Sequence, residues 1–314
     1  KSIGAEAELL SSELDEGEEE EIYASCIEGI TKLLYVSPER LQNQKFLEYI
    51  DQIEVSFIAV DEAHCISEWG QDFRPSYQNI KNFRNQFKDV PCLALTATAT
   101  PKVLDDIKNK LDLHHPKVLK KSFRRENIQI FNDEVADKYQ HVFNILKHNN
   151  SSGIIYTRTR KEAELLTEFL QKCKISNVDY FHAGLSVLDK NRKQEKWQKS
   201  NNQVLISTNA FGMGIDKDNV RFVIHFSPSA SLENYYQEIG RAGRDGEKSY
   251  AFLLWNEQEL KNLDNIFLNQ TPNKTEFLKI ISYLYSKFMV AENELPEKVF
   301  EIHISKIQEF TKIS

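Results

Sequence analysis

Cysteine is scarce in this 314-residue chain, and what there is does not pair. Cys26, Cys65, Cys92 and Cys173 never fall in a Cys-x-x-Cys spacing, and none lies beyond residue 173. A reducing compartment without a structural zinc is expected. Apolar runs are short; none approaches the roughly 20 residues that span a bilayer. No secretory leader is visible, so no membrane partner is expected. The first residue is Lys1 rather than Met, and the expectation is that the start is missing. Glycine numbers only eleven, and no glycine is followed by lysine. A phosphate-cradling loop of the form Gly-x-x-x-x-Gly-Lys-Ser/Thr is therefore absent.

Positive charge is also wanting: the net charge is −7. The deficit is local. Residues 1–30 hold ten acids against Lys1 alone, which leaves the other 284 residues at +2. A basic track remains open to them, and the whole-chain value is a poor guide to partners. The acidic run "EGEEEE" reads as a solvated helix start. Hydrophobic residues make up 40% of the chain, enough for ordinary globular cores and against wholesale disorder.

Apolar runs alternate with helical patterns. "KLLYV" (32–36), "VSFIAV" (55–60), "CLALT" (92–96), "GIIYT" (153–157), "VDYF" (178–181), "QVLIST" (203–208), "RFVIHF" (221–226) and "YAFLLW" (250–255) are unbroken. Such runs suit strands of a parallel sheet buried on both faces. Between them, residues 159–174 place Ala163, Leu166, Phe169 and Leu170 on one side of a helix. Thr100 reads as an N-cap with Pro101 at the first helical position. The pattern predicts α/β layers with right-handed crossovers. A joint is expected near 115–135, a basic segment with Pro116 and no clear period, and a second boundary near 246–247. Helices are expected at 257–268 and 274–289. Phe300, Ile302, Ile304, Ile307 and Phe310 read as the opening of a small helical or winged-helix unit.

Five stretches carry chemistry. Asp61 and Glu62 follow the run 55–60 directly. Adjacent carboxylates at a strand's carboxyl end can divide labour: one holds Mg²⁺ through water, the other deprotonates an attacking water. A surface acid pair is the plain alternative; the buried strand before it and His64–Cys65 after it weigh against that. Trp69, Phe73 and Tyr77 recur every four residues with Arg74 among them. Ring faces stack on bases, and a guanidinium adds phosphate or cation–π contact. Core rings are the alternative, but Gly70, Gln71, Asp72 and Pro75 break the segment. "LTATAT" (95–100) offers Thr96 and Thr98 as hydrogen-bond relays and is weak alone. "STNAFGMGIDKDNV" (207–220) brings Gly212, Gly214 and Asp216 after a strand, again weak alone. "NYYQEIGRAGRDG" (234–246), if helical, puts Gln237, Arg241 and Arg244 on one face, with two guanidiniums suited to a polyphosphate. Gly240, Gly243 and Gly246 argue against a plain salt-bridged helix there.

These stretches, with "YVSPERL" (35–41) and "YFHAGL" (180–185), lie in order over residues 30–255. Together they resemble the RecQ family of ATP-dependent DNA helicases, in helicase superfamily two. The resemblance implies two RecA-like parallel-sheet domains, the first incomplete, at 1–117 and 118–256, with a helical extension over 257–314. It implies ATP and Mg²⁺ as cofactors, no zinc, and 3′→5′ movement along DNA, single-stranded and junction or duplex, in repair and recombination. Asp61 would hold Mg²⁺ through water, and Glu62 would be the general base. His64 and Gln237 would bridge the domains around the nucleotide. Arg241 and Arg244 would meet the γ-phosphate, one as the arginine finger, and Gly214 and Asp216 would also serve the nucleotide. Trp69, Phe73, Arg74 and Thr208 would meet DNA. A cytoplasmic, nucleoid-associated bacterial location follows from the same resemblance; protein partners are not specified.

Two departures shape the expectation. Family members carry the phosphate loop upstream of where this sequence begins, so a fragment with little ATP turnover of its own is expected. Many also carry a four-cysteine zinc module after "RAGRDG", whereas this chain resembles the shorter zinc-less bacterial branch. The rivals are an RNA helicase, against which the aromatic loop argues, and a non-hydrolysing module that binds single-stranded DNA.

Overall fold

Strand-length apolar runs joined by helix-length segments favour parallel pairing, because each connection is long enough to cross over the sheet. The computed structural model, which describes residues 4–11, 14–69, 72–122, 124–212, 216–262, 273–288 and 306–307, has that architecture. It divides into two units: Lys1–Arg124 with Ser231–Gln237, and Arg125–Ala230 with Glu238–Ser314.

In the first unit, β1 (Ala7–Leu10) pairs in parallel with β2 (Leu33–Val36), and β3 (Ile58–Val60) with β4 (Cys92–Ala94). Helices α1 (Glu16–Ile27), α2 (Gln44–Ile50), α3 (Asn79–Gln86) and α4 (Pro101–Lys110) accompany them. Asp15 caps α1 with a reciprocal Glu18 contact, which ties down the acidic helix start. Thr100 accepts from Val103 N at the head of α4, with Pro101 in the first turn, as the sequence predicts. One cluster gathers Ile58, Val60, Ala63, Ile66, Ile80, Val103, Ile107 and Leu111. Another gathers Leu10, Tyr23, Phe46 and Ile50, and Leu41, Val55, Phe83 and Phe87 pack against both.

In the second unit, β5 (Ile128–Glu134), β6 (Gly153–Tyr156), β7 (Val178–Phe181), β8 (Val204–Ser207), β9 (Phe222–His225) and β10 (Ser249–Trp255) form one parallel sheet. Its order is β5-β10-β9-β6-β8-β7. The chain passes from β8 to β9 across β6, which makes the carboxyl ends of these three strands the switch point where ligands bind in such sheets. Helices α5 (Lys138–Leu146), α6 (Arg160–Lys172) and α7 (Val187–Lys199) belong to this unit, while α8 (Leu232–Ile239) is divided, its residues 232–237 falling in the first unit. On α6, Ala163, Leu166 and Leu170 are buried and Thr159–Glu162 form a capping box. Gly153 admits the Phe222 ring where any Cβ would stand, and the buried Trp197 donates to its carbonyl at 3.2 Å.

Three expectations need correcting. Burial on both faces holds for β6, β8 and β9, but β2 and β4 alternate between half-buried and exposed. Among the described residues nothing covers their outer side. The segment read as a patternless joint contains β5, whose polar sequence IQIFNDE suits an edge strand paired only with β10. β1 was hidden by the acidic residues around it. Downstream, residues 257–262 are helical and α9 covers Lys274–Phe288. The remainder of the expected 257–268 helix, and all but 306–307 of the winged-helix opening, lie outside the described residues. Among the described residues no helix is long and apolar enough to cross a membrane.

Candidate functional site

The first unit's candidate residues hang from the end of β3. The strand's pairing continues past Val60, with Leu95 N donating to Val60 O and Ala63 N to Leu95 O, each at 2.8 Å. Between those anchors the backbone must reverse, and Glu62 does so in the left-handed region (φ 48°, ψ 42°). That conformation costs a residue with a Cβ about 1 kcal/mol. A 3-10 turn, Ala63–Ile66, follows, with all four residues buried.

Asp61 faces solvent, its Oδ1 accepting from Glu62 N at 2.9 Å. Glu62 Oε2 is buried and has no hydrogen bond; His64 Nδ1 lies 3.4 Å away. His64 Nδ1 sits 2.9 Å from Thr96 Oγ1, whose own proton goes to Thr98 O at 3.0 Å. With that hydroxyl's proton directed at the Thr98 carbonyl, the matching tautomer of His64 carries its hydrogen on Nδ1. Through its hydroxyl Thr96 joins His64 of the acid turn to the Thr98 backbone just past β4. Burial pushes the neighbouring Cys65 thiol up. Burial also pushes the Tyr77 phenol up to about 12.

The aromatic loop begins where this turn ends. Ser67 N donates to His64 O at 3.1 Å, and Arg74 N to Cys65 O at 2.9 Å, so both ends are stitched to the acid turn. Trp69 is 66% exposed and Phe73 half-buried. Tyr77 is different: it is 8% exposed, packs in the core, and its hydroxyl donates to Asp61 O at 3.3 Å. The every-fourth spacing of the three rings does not form a surface stripe, because the loop is not helical until the 3-10 turn at Pro75–Gln78.

Arg241 and Arg244, in the second unit, do not continue the helix that carries Gln237. Helix α8 ends at Ile239, and 240–245 run in turns. Within that turn Gly243 has φ 58°, and a Cβ there would come within 2.5 Å of Asn127 Nδ2. Arg125 Nη2 and Asn127 Nδ2 both hold the Gly243 carbonyl at 2.8 Å. Arg241 hydrogen-bonds the Gly212 carbonyl through Nη1, while its Nε is buried without a hydrogen bond. Arg244 pairs with Asp216 at 2.6 Å. Thr208 is buried at the end of β8. Gly214 lies outside the described residues.

Sequence reasoning missed a buried set behind Arg241. His225, fully buried at the end of β9, meets Glu238 at 2.7 Å, and Ser229 Oγ donates to the same carboxylate at 2.6 Å. Tyr156 stacks on His225 and donates to Phe211 O at 3.1 Å. Burial raises the Tyr156 phenol. A histidine closing an otherwise apolar strand run was the available signal.

Family comparison gives these arrangements a context. The DEAD/DEAH box helicase model matches residues 1–107, and the helicase conserved C-terminal domain model matches 137–246. The ATP-dependent DNA helicase RecQ of Bacillus subtilis is 42% identical over 236 residues, 74% of this chain and 40% of its own length. That of Pasteurella multocida is 40% identical over 268 residues, 85% of this chain and 42% of its own length. This chain belongs to the RecQ helicase family. Like those two relatives, other RecQ helicases match over most of this chain, which itself spans well under half the length of either. The fold agrees: the helicase Lhr of Mycobacterium smegmatis, solved with ssDNA and AMP-PNP, superposes with a TM-score of 0.62 at 17% identity. That match covers 82% of this chain and 36% of Lhr.

Proposed function

We propose that this RecQ chain carries motor elements of an ATP-dependent DNA helicase that moves 3′→5′ on single strands, in a cytoplasmic repair or recombination setting. The observation that carries the reading is the Glu62 carboxylate: one oxygen buried and without a hydrogen bond, on a left-handed residue directly after β3. A buried carboxylate oxygen left without a donor costs roughly 1–3 kcal/mol, which makes it a natural acceptor for a water's proton.

The acid pair suits the Mg²⁺ side of an ATP site, while no glycine-lysine phosphate loop is present in these 314 residues. Asp61, solvent-facing beside Glu62, would hold the metal through water. Bound Mg²⁺·ATP supplies the phosphoanhydride and the charge that offsets its negative oxygens. Glu62 would take a proton from the attacking water onto its free oxygen. His64, locked by Thr96, would keep that carboxylate oriented. Arg241 and Arg244 are assigned to γ-phosphate contact, supported for Arg241 by its unpartnered Nε. Gln237, Gly214 and Asp216 are assigned to the nucleotide by family resemblance. Trp69, Phe73, Arg74 and Thr208 are assigned to DNA, supported for Trp69 by its exposure. The domain limits 1–117, 118–256 and 257–314 belong to the same proposal.

A second reading has its own support. These 314 residues hold no glycine followed by lysine, so the chain by itself suits a DNA-binding module without turnover.

The test is single-strand-stimulated ATPase, measured on the 314-residue chain and on the protein as the cell makes it. Turnover in the cellular form alone supports the helicase reading, and absence of turnover in both moves the binding module ahead. In the active form, Glu62→Gln should lower turnover about 10²–10⁴-fold while oligonucleotide affinity stays level. Retained turnover would remove Glu62 from the base role.

A further inference from the structure

Helix α4 buries Val103 and Ile107, with Leu111 just beyond its end, at successive four-residue steps. One residue earlier in each step stand Lys102, Asp106 and Lys110, so these three form a second stripe beside the buried one. Each touches the aromatic loop. Lys102 Nζ sits 2.9 Å above the centroid of the Trp69 ring. Asp106 Oδ2 accepts from Ser67 Oγ at 2.6 Å, and that same Oγ accepts from Trp69 N at 3.2 Å. Lys110 Nζ donates to Ile66 O at 3.1 Å, lies 3.9 Å from Glu68 Oε1, and stands 5.9 Å from the Phe73 ring.

The contacts differ in kind. Ser67 is fully buried and Asp106 half-buried, so the Asp106–Ser67–Trp69 chain fixes the backbone beneath the indole from the protein's side. Lys102 is exposed, and an exposed ammonium on an exposed ring is weakly held by itself. The pair gains a purpose if something else uses both parts. A nucleobase needs a flat ring face, and the phosphate beside it needs a cation within a few ångströms. Trp69 offers a ring face away from Lys102, and Lys102 offers the charge at the ring's other side.

We propose that the Lys102–Asp106–Lys110 stripe of α4 seats the aromatic loop, and that Lys102 and Trp69 together bind one nucleotide of single-stranded DNA. Trp69 stacks on the base with its free face, and Lys102 neutralises the adjoining phosphate. Asp106 is a positioning residue: it touches no DNA and acts by holding Ser67 and, through it, Trp69. This rests on the reading of Trp69 as a DNA contact.

Fluorescence anisotropy with labelled oligo(dT), on the protein as the cell makes it, over a KCl series, tests both levels. Lys102→Met should weaken binding about fivefold near 0.1 M salt and reduce the slope of log affinity on log salt by about 0.7, the loss of one phosphate contact. Lys102→Arg should restore both. Asp106→Asn should weaken binding with the salt slope unchanged. Trp69→Ala is the control on the underlying reading. If Trp69→Ala weakens binding while Lys102→Met changes neither affinity nor slope, the composite site is wrong and the Trp69 reading survives. If Trp69→Ala leaves binding intact, the reading of the loop falls, and the composite site with it.

Discussion

The second unit places β6, β8 and β9 in the middle of six strands and buries every residue in them. Among the described residues the first unit pairs its strands two by two, and leaves Leu9, Tyr35, Leu93 and Leu95 between 43% and 61% exposed. Both follow one α/β plan, so the difference lies in how much strand surface is covered. In the second unit, Val142, Leu146, Ala163, Leu166 and Leu170 of the helices pack in one cluster with the sheet's Ile155, Val204, Ile206, Phe222 and Ile224. In the first, two smaller clusters are supplemented by polar stitches: Arg40 reaches Glu19 and the Ser11 carbonyl, and Asp106 reaches Ser67. The acid pair and the aromatic loop sit on the unit whose strands are less covered, yet the turn between them is anchored in the core through Ala63, Cys65, Ile66 and Tyr77.

Three substitutions test that contrast. The largest effect is expected at Leu166, fully buried on α6. Leu166→Ala should cost about 2–5 kcal/mol in urea unfolding, followed by a probe in the second unit. A cost under 1 kcal/mol would mean this core is looser than its burial suggests. Gly153→Ala comes next, since its methyl group must displace the Phe222 ring from a full core. About 1–3 kcal/mol is expected. The smallest effect belongs to Leu93→Ser on β4, expected within about 0.5 kcal/mol because that side chain already meets water. If Leu93→Ser costs as much as Leu166→Ala, the exposed face is covered in solution and the contrast between the units collapses.

The sequence made the second unit's strands legible because burial on both faces writes itself as an unbroken apolar run. Residues 153–156, 204–207 and 222–225 are cases of this. β5 escaped because an edge strand can carry Gln129, Asn132 and Asp133 without penalty. At the site, the acid pair, the threonine relay and the arginine segment could be named from order and residue type. Their geometry could not. Helical spacing predicted a shared face for Gln237, Arg241 and Arg244, whereas the helix stops at Ile239 and the turn that follows is held at Gly243 by Arg125 and Asn127. Those partners lie more than a hundred residues away in sequence, and no local pattern encodes them. The α4 stripe was hidden for a related reason, since charged residues beside a buried row look like ordinary solvent-facing helix.

The left-handed backbone at Glu62 has an evolutionary price tag of an unusual sign. Glycine at this position would relieve about 1 kcal/mol of Cβ strain. It would lose a similar amount to added freedom in the unfolded chain. It would also remove a buried oxygen that has no hydrogen bond. Folding is thus indifferent to the side chain at 62, or slightly better off without it. A library of this protein sorted only by melting temperature would drift away from glutamate here, and nothing in its unfolding curves would report what had been lost.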